Sequence, residues 1–445
     1  MNRFFLLALV VVGSAAHAQT PPKLTFQEAV KIGLDNNLTL QQQKNQLMFT
    51  QVNKMSTFLQ MAPNVQAQGS AGRFDGNSFN QQRGEVVNGQ IDFVNGSIGA
   101  NIPIFNGFNQ VNAYRQADKQ NEAQLNFLNR TQQDVIRNVA AQFLTCLLDQ
   151  QLLKIDQQNL ETQRAQHEQI KAQVELGARA EADMYNQEFQ VKNAELLVVR
   201  SANRLKNDKA ILAQTLLVDP IVSFELQETE WDINMLSEDL SLETLNEEAI
   251  QFRSDLRQAN LTQQAAQFGL SSVRGRYYPN LSGFGQLNSR YNYIFGDPEN
   301  RTFDQQFRSD NRQLSYGLQL TIPIFNGLIS RTQVTQSKVV FENAKINTRN
   351  AEVRVKTDVL LAHQNYKDAQ TSYLAAEAQL RAGELAYQME KERYDLGISN
   401  IVQLTTAQQQ YVRAQSDFAS ARYTLMFQKI LLNYATGTLK LEDIP

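Results

Sequence analysis

Three histidines and one cysteine are all that this chain of 445 residues offers to nucleophilic or soft-metal chemistry. His17 falls in a segment that reads as a cleaved leader. His167 and His363 stand singly on stretches of helical periodicity, with no second His or Cys at ligand spacing. Cys146 has no partner for an intramolecular disulfide, and it sits on an apolar stripe, which marks it as a small core residue. No G-x-S-x-G elbow or phosphate loop occurs. Acidic and basic residues are interspersed, with a formal net charge of −3, and read as solvated helix faces. No basic stripe or aromatic–basic module points to nucleic acid. The reading is therefore of no catalytic residues, no metal ligands and no cofactor. The abundant polar chemistry is that of amides: Asn and Gln are frequent, and they suit surfaces that must be wet without strong charge.

The N-terminus carries its own signal. Arg3 is a charged start, residues 4–12 are an apolar run, and Ala16-His17-Ala18 is an A-x-A cleavage site. Nine apolar residues are too few to span a bilayer. Gln19 follows the site rather than Cys, so no lipid attachment is expected there. Beyond residue 18 no run approaches the length of a transmembrane helix.

What positions the polar residues is a duplicated chain. Ile-Pro-Ile-Phe-Asn-Gly occurs at residues 102–107 and again at 322–327, an offset of 220. Leu176-Gly177 and Leu396-Gly397 share that offset, while Pro63-Asn64 and Pro279-Asn280 are 216 apart. Each half is one copy of a single unit. The expected organisation is a leader (1–18), a first repeat (19–218), an acidic connector (219–247), a second repeat (248–437) and a tail (438–445). The connector region, 219–248, holds ten acidic residues, no Lys or Arg, and the only Trp, Trp231. It is expected to be irregular.

Within a repeat, the pattern predicts a helix over about 24–62, stopped by Pro63. Small polar residues follow over 64–73, then a Gly-, Asn- and Gln-rich loop to about 92. From Gly96 to Ile104 the period is two, a strand with one apolar face. The second half repeats this over about 280–291 and 313–324, with a loop at 292–311. Two strands of about ten residues per half match a tilted bilayer crossing. Residues 108–176 then contain one Pro- and Gly-free stretch, broken at Gly177, with apolar residues at steps of three or four from Leu125 to Ile155. A helix of that length would reach about 100 Å. A second long helix follows, and the other half does the same around Gly397. Pro63, Pro103, Pro279 and Pro323 fall at strand–helix transitions, where a missing N–H is tolerable. Tyr277, Tyr278, Tyr291, Tyr293 and Phe295 flank strand ends and read as an interfacial girdle or as core residues.

Four strands cannot close a membrane barrel, which needs at least eight, and open edges cannot face lipid. Two or more chains must therefore share one barrel. The expected fold class is mainly α with a membrane β-barrel and long helical coiled coils.

The duplicated hexapeptide, Asn-Leu-Thr-Leu at 37–40, Arg253-Ser254-Asp255-Leu256 and Tyr-Asp-Leu-Gly at 394–397 together resemble the TolC-like outer-membrane factors, the outer membrane efflux protein family. The resemblance runs from about residue 24 to 437. It implies a homotrimer with a twelve-stranded barrel in outer-membrane lipid and a periplasmic α-helical tunnel. It also implies docking to a periplasmic adaptor and to an inner-membrane pump of RND or ABC type. Leu176, Gly177, Leu396 and Gly397 would form the hairpin tips that meet the adaptor. Asp183 and Tyr394 match positions that close the tunnel, although Asp183 also suits an ordinary first-turn acid and Tyr394 a packed residue. Gln403 and Thr406 stand where such proteins carry an acidic ring, and Ser399 where an Arg often sits. Arg179 occupies the equivalent of Ser399 in the first half. A constriction would then rest on Asp183, Arg179, Tyr394 and Gln403.

The reading is of a passive exit duct for small molecules in a tripartite efflux system. A duct for type I protein secretion shares the fold and differs in cargo. A secreted structural or adhesive coiled coil is the alternative of another class, and the strands with lipid-like faces argue against it.

Overall fold

The computed structural model describes residues 23–80, 84–220, 224–228 and 241–440. The leader, His17, Trp231 and the last five residues lie outside them. The described order repeats as expected. The first half holds α1 (Phe26–Asn36), α2 (Leu38–Leu59), β2 (Asn64–Asn80), β3 (Glu85–Phe105), α3 (Asn109–Glu175) and α4 (Glu181–Leu216). The second holds α5 (Leu242–Phe252), α6 (Ser254–Arg274), β5 (Asn280–Ile294), β6 (Gln313–Thr321), α7 (Ile329–Asp395) and α8 (Ile401–Thr436). A short parallel bridge joins β1 (Lys23–Leu24) to β4 (Glu225–Leu226). The duplication is quantitative: α3 and α7 have 67 residues each, and α4 and α8 have 36 each. No helix among the described residues is long and apolar enough to cross a membrane.

Three expectations are corrected. The single helix over 24–62 is two helices. Asn37 between them is extended (ψ 118°), and α1 opens on a Thr25/Glu28 capping box in which each side chain accepts the other's backbone N–H. The expected loop at 74–92 is mostly strand, since β2 and β3 pair in register from Asn64↔Asn101 to Asn80↔Glu85. Composition hid this ribbon because neither of its faces alternates, whereas ladder hydrogen bonds need no particular side chains. The connector is not wholly irregular either: it contributes β4, and α5 begins at Leu242.

The described parts form two compact units. Of the described residues, those within 23–38, 132–252 and 358–440 make up one, and those within 39–131 and 253–357 make up the other. Each unit draws on both repeats, so the duplicated halves interlock rather than fold side by side. The first unit has one main core in which Phe26 stacks on Phe143 at 5.1 Å, with Val139, Leu212, Leu216, Met426 and Ile430 around them. Cys146 is fully buried in this core, and burial pushes its thiol up to about 12, as befits an inert packing residue. Leu125, by contrast, faces outward at 46 % exposure. Amides also enter the hairpins of this unit. Gln187 donates to Gln163 Oε1 at 2.6 Å and Gln408 donates to Asn159 Oδ1 at 3.2 Å, all three glutamines being buried. These amides are not wet surface but cross-links between helices.

In the second unit Arg253 is 1 % exposed and grips Asp255 with two hydrogen bonds, 2.9 and 2.6 Å. Asp255 Oδ1 also accepts the Leu256 N–H at the start of α6. Burial works to raise the Asp255 carboxyl, but the bonds and charge of Arg253, with the charge of Arg130, hold it below the usual range. The Arg-Ser-Asp-Leu signature is thus a structural clamp.

Back in the first unit, Asp149 is a buried carboxylate on α3 that is less well satisfied. Its Oδ1 lies 3.2 Å from Arg204 Nε, while its Oδ2 faces no donor among the described residues. Burial, then the neighbouring Asp208 carboxyl, raise Asp149 to about 7 against the pull of Arg204. A proton on Oδ2 would resolve the orphaned acceptor. The native state then holds a proton that the unfolded chain has lost between pH 3.8 and about 7. Its stabilising contribution is full below the lower value and disappears as pH rises through the upper one. Asp149→Asn should therefore flatten the fall in unfolding temperature between pH 5 and pH 8, as followed by the helical circular dichroism of detergent-held protein. Equal slopes for variant and parent would refute the assignment.

Candidate functional site

The sheet has the order β2-β3-β5-β6 and is antiparallel throughout. Its register sorts the side chains into two chemically opposite faces. Ala67, Ile98, Leu287 and Leu314 share one row across the four strands, and Val65, Ala100, Gly285 and Tyr316 share another. These rows stay open, Val65 being 67 % exposed, Leu314 66 % and Tyr316 81 %, as does the next row on this face, where Leu318 pairs with Gly283 and is 69 % exposed. The opposite face carries Gln68, Ser97, Asn288 and Gln313 in one row, and Gln66, Gly99, Gln286 and Ser315 in the next. A large exposed apolar surface is anomalous in water. On β5 it runs from Leu281 to Tyr291, about 33 Å along the strand at ~3.3 Å per residue, or about 25 Å of height at a tilt of ~40°. That is the hydrocarbon height of a barrel.

At one end of this face the apolar character stops. Arg73 and Asp92 are register partners joined by a bidentate ion pair of 2.6 and 2.9 Å, and the Arg73 guanidinium lies 4.7 Å from the Phe295 ring. Tyr293 meets Phe295 edge-on, and Tyr291 meets Phe303 likewise. Tyr277 and Tyr278 stand at the opposite end of β5, both more than half exposed. Of the two readings for these aromatics, a girdle fits better than a core. Both outer strands, β2 and β6, have an edge that no strand among the described residues pairs.

The duplicated hexapeptide is the hinge between sheet and helix. Asn106-Gly107-Phe108 and Asn326-Gly327-Leu328 place two successive residues at positive φ: 64° and 60° in the first copy, 62° and 64° in the second. The N–H groups of Asn109 and Ile329 then close onto Asn106 O and Asn326 O. In the first copy a Cβ at Gly107 would lie 2.3 Å from Gly275 O, so close backbone approach also demands glycine. Pro63 and Pro279 precede β2 and β5 directly. Pro323 follows β6, but Pro103 lies inside β3, at the register shift between Pro103 and Phe105. The missing N–H is accommodated there by a bulge rather than by the strand's end.

The hairpin turns are equally matched. Gly177 (φ 71°) and Gly397 (φ 73°) each end a helix in the left-handed conformation. Gly177 N donates to Val174 O and Ala178 N to Gln173 O, and Gly397 and Ile398 repeat both bonds onto Tyr394 and Arg393. This is a Schellman stop. Leu176 and Leu396 project from the turns at 85 % and 75 % exposure.

Around the turns the two hairpins differ in chemistry. In the first, Arg179 Nε donates to Gln173 Oε1 at 2.7 Å, and Nη1 sits 3.9 Å from Asp183 Oδ2. The same guanidinium lies 4.5 Å from the ring of Tyr394 on the second hairpin. Beneath it, Tyr394 packs with Ile170, Ile401 and Leu404. Burial raises the Tyr394 phenol, and its OH has no hydrogen-bond partner among the described residues. In the second hairpin Ser399 bonds to Glu390 and to Gln403, and Arg393 pairs with Glu390 at 3.2 Å.

A family model described as "Outer membrane efflux protein" matches residues 29–216 and 245–438. The chain belongs to the outer membrane efflux protein family. The outer membrane protein TolC of Vibrio cholerae serotype O1 is 24 % identical over 330 residues, 74 % of this chain and 72 % of that protein. Among solved structures, CusC superposes with a TM-score of 0.79 at 14 % identity, covering 93 % of this chain and 92 % of that one. VceC, an outer membrane protein of Vibrio cholerae, gives 0.77 at 13 % identity, covering 93 % and 96 %.

As a member of the efflux protein family the chain brings together three of its four expected constriction residues. Arg179, Asp183 and Tyr394 form one cluster, whereas Gln403 joins Ser399 on the other side of the second turn. Asp183 also sits in the first turn of α4, whose N-cap Ala180 supplies no side-chain bond, so it serves the helix start as well. The apolar base of Ile170, Ile401 and Leu404 escaped sequence reasoning, because its members come from two helices, α3 and α8, that are remote in the chain. Among the described residues no three His, Cys, Asp or Glu side chains converge on a point.

Two predictions follow from opposite ends of this geometry. Leu318→Arg puts a charge on the outward face and should cut recovery from the outer-membrane fraction, in line with about 2–4 kcal/mol of insertion cost. Gln319→Arg, one residue on but on the polar face, should leave recovery near normal; equal losses would contradict the facial assignment. At the tip, Arg179→Ala removes an interaction worth about 0.5–2 kcal/mol. Amide exchange should then accelerate in 170–184 and 387–404 while the sheet amides hold their rates, and unaltered tip exchange would exclude the clasp.

Proposed function

We propose that the protein is the outer-membrane exit duct of a tripartite efflux system: a passive conduit, not a catalyst, for small molecules driven by an inner-membrane RND-type or ABC-type pump through a periplasmic adaptor. The observation that carries this reading is the four-stranded sheet, apolar and exposed on one face, polar on the other, with two unpaired edges. Three copies pairing β6 of one with β2 of the next make a closed barrel of twelve strands, with the amide-rich face lining the lumen. The helices that flank the open edges support the same arrangement. On α2, Met48, Val52 and Met55 are each more than 60 % exposed, and on α7 Val340, Ile346 and Val353 are about as open, surfaces that a second copy would cover. The helical hairpins stand in the periplasm, and their tips, Leu176-Gly177 and Leu396-Gly397, contact the adaptor. Arg179, Asp183 and Tyr394 constrict the tunnel together with Gln403 and its Ser399 partner. The leader directs export and is removed.

The test is fractionation followed by native mass measurement of the detergent-extracted protein. The expected result is an outer-membrane species of three chains. A soluble periplasmic monomer would sink the shared barrel and the duct with it.

A further inference from the structure

Acidic residues are absent from most of the chain that builds and flanks the sheet. Residues 36–74, 93–117, 256–296 and 311–341 contain no Asp or Glu. Arginines remain in these segments, and four of them gather where strands hand over to helices. Arg115 lies in the second turn of α3, Arg274 at the end of α6, and Arg331 in the first turn of α7. Arg276 lies in the single 3₁₀ turn, Gly275–Tyr277, that leads to β5. Hydrogen bonds hold these parts together within the second unit. Asn109 Nδ2 donates to Ser272 O at 2.7 Å and Ser272 Oγ donates to Asn109 O at 2.9 Å, which ties the start of α3 to the end of α6. Arg276 Nη1 donates to Gln333 Oε1, which ties the turn to the start of α7. All four arginines are exposed. Arg290, in the row of Ser70 and Asn95, already holds an interaction, whereas none of these four has an ion pair among the described residues. The contacts they do make carry no charge: Gln333 for Arg276, and the Phe268 ring, 5.8 Å from the Arg115 guanidinium. Tyr277 and Tyr278 stand open beside them, close to Leu281, where the apolar face of β5 ends.

We infer that Arg115, Arg274, Arg276 and Arg331 form a basic belt that binds the phosphates of anionic phospholipids, in the membrane leaflet on the helical side of the barrel. The inference rests on the duct reading above and deepens it by naming the class of lipid that holds the duct. A second copy cannot answer this charge. The helix it would bring alongside, α2, lies wholly within an acid-free segment, and Asp118, the first acid of α3, is already held by Lys54 at 2.5 Å. Closing three copies into a ring therefore multiplies like charge, and the anions that offset it come from outside the protein. The leaflet supplies them at this level. Guanidinium donors match phosphate oxygens in pairs. The alkyl stem of arginine and the ring of tyrosine meanwhile rest against the end of the apolar band. Each basic residue adds attraction to an anionic surface, and the effect fades within a Debye length of about 10 Å. All four arginines stand within two turns of the helix end that adjoins the sheet, about 11 Å at most.

The test is native mass measurement of the detergent-extracted full-length protein, titrated with phosphatidylglycerol or with phosphatidylethanolamine. The parent retains phosphatidylglycerol in preference, and the preference weakens as ammonium acetate is raised. In Arg274→Gln/Arg276→Gln/Arg331→Gln the apparent affinity for phosphatidylglycerol falls about tenfold or more. Arg274→Lys/Arg276→Lys/Arg331→Lys keeps the charge and most of the preference, which separates loss of the belt from poor assembly. Glycerol 3-phosphate, the same phosphate without acyl chains, displaces none of the lipid. Equal retention of the two lipids by the parent, or displacement by glycerol 3-phosphate, overturns the belt while leaving the duct intact. So does a glutamine variant that keeps its lipid and changes only the ion selectivity of its single-channel current, since the arginines would then face the lumen. A parent recovered only as a soluble monomer overturns the duct and the belt together.

Discussion

An edge strand in hydrocarbon has nowhere to put its backbone N–H and C=O groups, and the rest of this structure answers that constraint. Among the described residues one chain supplies four strands to this sheet and leaves the outer edges of β2 and β6 unpaired, with apolar side chains displayed where water would be unfavourable. Each unsatisfied backbone group in lipid costs several kcal/mol, so the sheet is stable there only when other copies complete the ladder. The two exposed helical stripes beside the open edges obey the same logic in aqueous surroundings. The chain is built to be incomplete, and its incompleteness is regular along every element that borders an edge.

Duplication supplies the regularity, and divergence supplies the chemistry. Helix lengths, the left-handed pair after each hexapeptide and the Schellman bonds at each tip are the same in both halves. The side chains mounted on that repeated backbone are not. Arg179 in one hairpin corresponds to Ser399 in the other, Ile170 to Glu390 and Asp183 to Gln403. The result is one turn held by cation–π contact and apolar packing, and one held by hydroxyl and carboxylate hydrogen bonds. The interlocking of the two repeats within each compact unit makes the pairing of unlike tips possible, since Arg179 and Tyr394 are 215 residues apart in the chain.

Much of this was legible in the residues themselves. The repeat, the helix stops at Gly177 and Gly397, and the alternation along β6 and the last part of β3 each reflect a local rule: a left-handed stop needs glycine, and a half-lipid strand needs period two. The β2–β3 ribbon at 74–92 was not legible, because its backbone pairing imposes no facial alternation. Nor was the fate of the amides. Gln163, Gln187 and Gln408 look like wet surface by composition, yet they are buried cross-links between helices. Arg253 and Asp255 were visible as a signature without a mechanism, and Asp149 was one acid among many until burial set it apart.

The sequence by itself determined the order of the elements, the lengths of the long helices, the placement of the helix-ending turns and the apolar face of β6 and of the last part of β3, because these depend on backbone conformation and on periodicity over a few residues. Only the tertiary structure decided which Arg meets which Tyr, that Gln403 stands apart from Asp183, that the face-lining row of Ser70, Asn95 and Arg290 assembles from three strands, and that Pro103 is absorbed by a bulge. Those outcomes depend on register and on packing between segments remote in the chain, and no local preference carries that information.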